Sequence, residues 1–405
     1  MKTAGLIVEY NPFHKGHLYH IEKTKEVTGA DTIIAVMSGN FVQRGAPAVM
    51  PKHLRARCAL LCGASAVIEL PVCYAAASAE YFALGAVSLL DRLGCVDAVC
   101  FGSECGDIKI LEEIADIVEE EPEEYRALLK EALKTGLSFP LARQHALMQY
   151  EAILSEPNNI LGIEYLKALK RLNSPMKAFT IRRAGAGYHD TVISGGFSSA
   201  SAIRTCIDSF PEIRNQIPEN CHAVIQEAYH RRFPIQNGDF SLLLKTALLS
   251  ETPDSLVRYL DINRGLANRI INMRNDFLNL EQFCGLLKTK ELTYSRISRA
   301  LFHILLNITK QNMEDYRNAG SVFYARVLGF REQDSALLRL LKQSSQIPVI
   351  TRLSQKKLPD SAGSSMMDTD IYAADLYESV VTGKFQTPFI NELQQSVIKL
   401  PPAQS

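Results

Sequence analysis

The 405-residue chain has no apolar run approaching the ~18 residues that a membrane-spanning helix needs. It also lacks a basic N-terminal region leading into an apolar stretch and a cleavage site, because Asn11-Pro12-Phe13-His14 interrupts the first hydrophobic segment. These absences argue against a membrane or secreted protein and give a cytoplasmic expectation. No two of the nine cysteines stand at CxxC spacing, the number is odd, and most lie among apolar residues. Reduced, buried thiols are expected rather than disulfides or a zinc site. There is no G-x-S-x-G run and no Ser-His-Asp pattern, which removes the common serine hydrolases. The formal net charge is zero, so composition alone gives no sign of a polyanionic partner. What remains is a globular composition, 47% hydrophobic and 22% charged, with length enough for two domains.

The most informative stretch is Gly5 to His20, GLIVEYNPFHKGHLYH. Leu6-Ile7-Val8 reads as a buried parallel strand, Glu9 to Phe13 as a sharp polar turn, and His14-Lys15-Gly16-His17 as the opening of a helix. Pro12 disfavours helix at Asn11, so the strand must end before it. A helix N-terminus after such a strand offers free N–H groups and the positive end of a dipole, a natural phosphate site. His14 and His17 lie three apart on one helix face with Lys15 beside them, and Gly16 lets a ligand approach the backbone.

Further strands are expected at Asp31 to Met37, Ala66 to Pro71, Val96 to Phe101 and Lys177 to Ile181, with helical patterns between them. That alternation predicts a parallel α/β sheet. The loop Ser38 to Gly45 follows the second strand, so it is expected to face the same crevice as His14 and His17. Lys52, Arg55 and Arg57 open the next helix and suit phosphates or a solvated face equally. Gly102 directly follows a strand and suits either a plain turn or close approach of a flat ligand. Glu104 to Glu131 holds eleven acidic residues against three basic ones, an acidic helical segment inserted in the α/β core. Asn158 or Asn159 is a reasonable N-cap for the helix that follows. Arg182-Arg183 and the glycines Gly185 and Gly187 end the fifth strand in a basic loop suited to an anion.

His14-Lys15-Gly16-His17 after an N-terminal strand resembles the HxGH signature of the nucleotidylyltransferase superfamily. Ser198-Ser199-Ala200-Ser201-Ala202-Ile203-Arg204 resembles that superfamily's ISSTxIR motif, with Ser198 for its Ile or Val, Ala200 for Ser and Ser201 for Thr. Ser201 keeps the hydroxyl. The wider run Ile7 to Ile21 and the NNILGIEYL stretch at Asn158 to Leu166 resemble one family within it, the bacterial tRNA(Met) cytidine acetate ligases, over the whole chain. The resemblance implies a doubly wound parallel-sheet nucleotidylyltransferase-like domain over 1–209, with the acidic insertion at about 104–156, followed by a mainly helical tRNA-binding domain over 210–405. It implies His14, Lys15 and His17 as catalytic groups. It implies ATP contacts at Ile7, Val8, Glu9, Tyr10, Asn11, Pro12, Phe13, Gly16, Leu18, Tyr19, His20, Gly102, Asn159, Arg182, Arg183, Ser199, Ser201 and Arg204. Mg²⁺ would accompany ATP, and no protein-held metal is implied.

Beyond Phe210 helical spacing continues to about Lys342 with no clear strand. Arg264 to Arg331 carries eleven basic and five acidic residues. Lys288, Lys290, Arg296 and Arg299 cluster around Tyr294, with His303 a turn on, as either a solvated helix face or an RNA-binding one. A short strand is expected at Gln346 to Thr351, a loop at Ser361 to Ser365, a helix at Asp370 to Ser379 and a frayed Pro-rich end. The family's reaction joins acetate, through an acetyl-adenylate, to N4 of the wobble cytidine of elongator tRNA(Met). Two other classes compete: an adenylyltransferase acting on a phosphorylated cofactor precursor, and a non-catalytic RNA-binding protein with a relic nucleotide site.

Overall fold

A computed structural model describes residues 1–137, 139–183, 198–355, 358 and 360–402. The strands are β1 (Thr3–Val8), β2 (Thr32–Ser38), β3 (Phe41–Val42), β4 (Ala46–Pro47), β5 (Ala66–Leu70), β6 (Ala98–Ser103), β7 (Lys177–Arg182), β8 (Ala325–Arg331), β9 (Val349–Ile350) and β10 (Ile398–Leu400). The main sheet runs β10-β8-β5-β2-β1-β6-β7, with β9 on β8. From β5 to β7 every pairing is parallel. The five N-terminal strands thus stand where their apolar runs place them.

Alternate residues of these strands enter two separate cores. Leu6 and Val8 face one with Ile33, Ala35 and Met37, while Ile7 faces the other with Ile34 and Val36. Helices cover both faces, which is why the strands read as continuous hydrophobic runs. The chain passes from β1 to β2 and β5 on one side, then returns to β6 and β7 on the other. The order reverses between β1 and β6, the switch point where open α/β sheets bind ligands.

The region after Phe210 is not free of strands. β8 lies antiparallel to β5, with Ala66 opposite Phe330 and Glu69 opposite Arg326. Leu400, near the expected frayed end, is instead held in β10, parallel to β8. Ser361 to Ser365 is not a loop but the first turn of the long helix Ser361–Phe385, capped by the Asp360 carboxylate. The small β3–β4 hairpin sits between the two halves. Phe41 is fully buried against Phe240 and Phe302, with ring centroids 5.6 and 5.7 Å away.

Candidate nucleotide site

β1 delivers the chain to the crevice and Tyr10 turns it, with φ at 49°. His14 then adopts an extended conformation and caps the helix Lys15–Thr28. Its Nδ1 accepts the Gly16 N–H at 3.1 Å, and the His17 Nδ1 accepts the His14 N–H at 3.2 Å. The rings stack with centroids 3.7 Å apart. A Cβ on Gly16 would stand 2.9 Å from the His14 ring, so the glycine is what lets His14 fold back as a cap.

Burial pushes the His14 imidazole down to about 3, helped by the positive Arg183 and Arg204. His17 is held well below its ordinary value by burial, then by His14, His20 and Arg183. His20 falls to about 4 by burial and Arg183. The rings are therefore neutral. In His14 and His17 Nδ1 is already an acceptor, so the proton sits on Nε2. Two imidazole N–H donors stand side by side at the end of β1.

They line a cavity of about 420 Å³. Of the expected residues, Ile7, Val8, Glu9, Tyr10, Asn11, His14, Gly16, His17, Tyr19, His20, Gly102, Arg182, Arg183, Ser199, Ser201 and Arg204 line it together. Arg204 ties the two signatures to each other: Nη1 donates to the Asn11 carbonyl and Nη2 to the Ser201 hydroxyl, both at 2.9 Å. The Ser199 hydroxyl caps its own helix by accepting the Ala202 N–H at 3.0 Å. Gly102 packs against Arg183, whose Cγ would lie 3.3 Å from a Cβ there.

Pro12, Phe13, Lys15, Leu18 and Asn159 are not in the lining. Lys15 is exposed, and Phe13 is buried against Tyr10 and His17. The Asn159 side chain is spent on the turn after β6: Oδ1 accepts the N–H groups of Glu104 and Cys105, and Nδ2 donates to Ile153. Its neighbour Asn158 lines the cavity. Neither asparagine is the N-cap, which is Glu156 with Pro157 as first helical residue. Gly185 and Gly187, expected beside the anion, lie outside the described residues.

Lys52 and Arg55 do not reach the cavity either. Lys52 is buried between Glu69 and Glu392 at 2.7 and 2.8 Å. Arg55 is fully buried and donates to the main-chain carbonyls of Glu9, Ser38, Gly39 and Met50, gathering the ends of β1 and β2. Lining residues that sequence patterns did not reveal include Gln43 and Arg44 from the hairpin, and the apolar side chains of Ala79, Phe82, Phe101, Ile160, Leu161 and Tyr165. Only the placement of loop 38–45 at the ends of the strands pointed to the first two.

In the C-terminal half Lys288 and Lys290 are exposed, and Arg296 is half-buried. Arg299 is committed to Asp261 at 3.1 Å. His303 is not on the basic face. It is fully buried, with its two ring nitrogens 3.0 and 2.9 Å from the carbonyls of Leu260 and Ala76.

A mainly parallel sheet with stacked, mutually capping histidines at its switch point is the architecture of a HIGH nucleotidyl transferase, and the model of that family matches residues 1–391. Over 392 residues the chain is 42% identical to the tRNA(Met) cytidine acetate ligase of Acetivibrio thermocellus, covering 93% of this chain and 94% of that one. It is 44% identical over 386 residues to that of a Thermoanaerobacter species, covering 93% and 95%. The crystal structure of apo Thermotoga maritima TmcAL superposes with a TM-score of 0.93 at 34% identity, covering 99% of this chain and all of that one. The TmcAL structure bound with alpha-thio ATP gives 0.90 at 33% identity. The chain belongs to the tRNA(Met) cytidine acetate ligase family.

Proposed function

We propose that the chain is an ATP-dependent ligase that acetylates N4 of the wobble cytidine of elongator tRNA(Met), in the cytoplasm. A carboxylate oxygen of acetate attacks the α-phosphorus of ATP, the bond to the β-phosphate breaks, and pyrophosphate leaves. The cytidine amine then attacks the carbonyl of acetyl-adenylate, the bond to AMP breaks, and the amine loses a proton. The observation that carries this reading is the meeting of His14, His17, Ser201 and Arg204 in one cavity.

The neutral imidazoles hold the α-phosphate through Nε2–H, where negative charge builds during attack. Arg204 and the Ser201 hydroxyl hold the outgoing pyrophosphate, with Arg182 and Arg183 at the rim. Lys15 is exposed and adds positive potential at the mouth. Among the described residues no three His, Cys, Asp or Glu side chains gather as a metal site, and the cavity's described lining has one carboxylate, Glu9. Such a lining fits Mg²⁺ as an ion carried by the triphosphate, whose charge it would neutralise. Residues 1–209 form the ATP-binding catalytic part and 210–405 the tRNA-binding part, with Lys288, Lys290 and Arg296 on the RNA face. Arg299 serves that face by bracing it.

The test is nucleoside mass spectrometry after incubation with ATP, Mg²⁺, labelled acetate and unmodified tRNA. A cytidine heavier by one labelled acetyl group is the expected product. AMP formed with acetate but no modified cytidine would overturn the acceptor, and neither product would overturn the ligase.

A further inference from the structure

The hairpin β3–β4 carries Gln43 and Arg44 at its tip, and both line the cavity opposite no motif of their own. Its turn closes with the Gly45 N–H donating to the Val42 carbonyl at 2.9 Å, and Gly45 takes the left-handed φ of 67° that a three-residue hairpin needs. The tip is pinned on two sides. Toward the site, the Glu9 carboxylate accepts the Gln43 N–H at 2.9 Å. Toward the C-terminal half, the Gly45 carbonyl accepts the Ser298 hydroxyl. A Cβ on Gly45 would stand 2.2 Å from the Arg299 main-chain nitrogen. The base is anchored by Phe41 in the cluster of Phe240, Phe302 and Tyr377.

From that rigid mount the Arg44 Nη1 reaches the Ser201 hydroxyl at 3.4 Å, the same oxygen that Arg204 contacts at 2.9 Å. Ser201 accepts from both guanidiniums and keeps its own proton to donate. Two guanidiniums on one hydroxyl repel each other, and a polyanion between them turns that repulsion into attraction.

We propose that Arg44 is a catalytic residue of the adenylation step, a direct contact to the β,γ-phosphates that leave as pyrophosphate. The proposal rests on the reading of the cavity as the ATP site. Arg204 approaches the pyrophosphate from the helix of the second signature, and Arg44 approaches it from a hairpin mounted on the C-terminal half. The planar fork of Arg44 can take two phosphate oxygens at once, which a lysine cannot.

The experiment is calorimetric titration of the full chain, as wild type, Arg44→Gln and Arg44→Lys, with ATP and with AMP, which lacks the contacted phosphates. Arg44→Gln is expected to weaken ATP binding by about 10- to 100-fold, the range for a charge-assisted contact, and to leave AMP binding within about twofold. Arg44→Lys is expected to fall between, with a raised KM for pyrophosphate in acetate-dependent ATP–pyrophosphate exchange. Unchanged ATP affinity overturns the proposal. So does equal weakening of ATP and AMP, which would mean that Arg44 only shapes the cavity. If Arg44→Gln does not fold, the Lys variant decides by the same ratio. Wild type binding ATP no better than AMP would instead overturn the placing of the triphosphate at Ser201 and Arg204, and Arg44 with it.

Discussion

The Nδ1 of His17 accepts the main-chain N–H of His14 at 3.2 Å, so the second histidine of the signature orients the first. Each ring acts as a helix cap through one nitrogen and keeps the other for a ligand. The spacing of three, with glycine between, follows from that double use.

This separates capping from chemistry. Asparagine is a good N-cap but carries no imidazole Nε2–H. His14→Asn is expected to cut acetate-dependent AMP formation by about 100-fold or more, the usual loss for one donor to a developing anion. Its thermal midpoint should stay near wild type. His14→Ala should lose the same activity and about 1 kcal/mol of stability as well, from the missing cap. Undiminished turnover in folded His14→Asn would remove the ring from the mechanism.

The depressed His14 imidazole makes the fold acid-sensitive. An unfolded histidine titrates near 6.5, whereas burial and the nearby Arg183 and Arg204 push His14 down to about 3. Below 6.5 the unfolded chain therefore binds more protons, and stability falls as the pH drops toward the native value. The melting temperature is expected to fall between pH 7.5 and pH 5, and to fall less steeply in His14→Asn. Parallel profiles for the two proteins would show that His14 is not neutral in the fold.

Lys290 is exposed, whereas Arg299 is paired with Asp261 at 3.1 Å. Reversing Lys288 and Lys290 to Glu should weaken tRNA binding and lower its salt slope by about 2, one unit for each lost phosphate contact. ATP binding should not change. Arg299→Ala removes the Asp261 pair beneath the hairpin, so its effect should appear as a lower melting temperature. Filter binding at several salt concentrations, with melting curves, distinguishes the two.

Gly45→Ala tests the hairpin mount. The added Cβ meets the Arg299 main chain at 2.2 Å and the residue must hold a φ of 67°. A cost of about 1–3 kcal/mol is expected from the backbone strain alone, with the clash adding to it. Chemical denaturation reads the loss. A variant as stable as wild type would mean that the hairpin does not rest on the helix Tyr294–Leu305.

The parallel strands and the signature turn were legible because burial on both faces leaves an unbroken apolar run. β8 was not. Arg326 sits near its start, buried and paired with Glu69 at 2.8 Å, and reads as a surface residue until its partner is known. Gly329 breaks the pattern again, yet it is there because Leu60 and Ile398 approach within 2.8 Å of where a Cβ would stand. Gly363 misled in the same way, since it opens a helix by packing against Phe323. The cavity was legible wherever a motif supplies it. Arg44 belongs to no motif, and its position is set by contacts with residues some 250 places away, such as Ser298. The exchange of Asn159 for Asn158 at the lining depends on helix phase, which a sequence fixes only to within a residue or two.

The antiparallel seat of β8 also governs how this chain can be made. When the ribosome has released β1 to β7, the outer edge of β5 still shows unpaired backbone groups on an apolar strand. Its partner is not synthesised until residue 331, and β10, which covers that partner, not until residue 400. The nascent chain therefore carries an open sheet edge from the end of β7 at residue 182 until residue 331, and a fragment ending near residue 209 would keep it for good. Such a fragment should associate through that edge rather than report on the nucleotide site, which only the intact chain presents with its sheet closed.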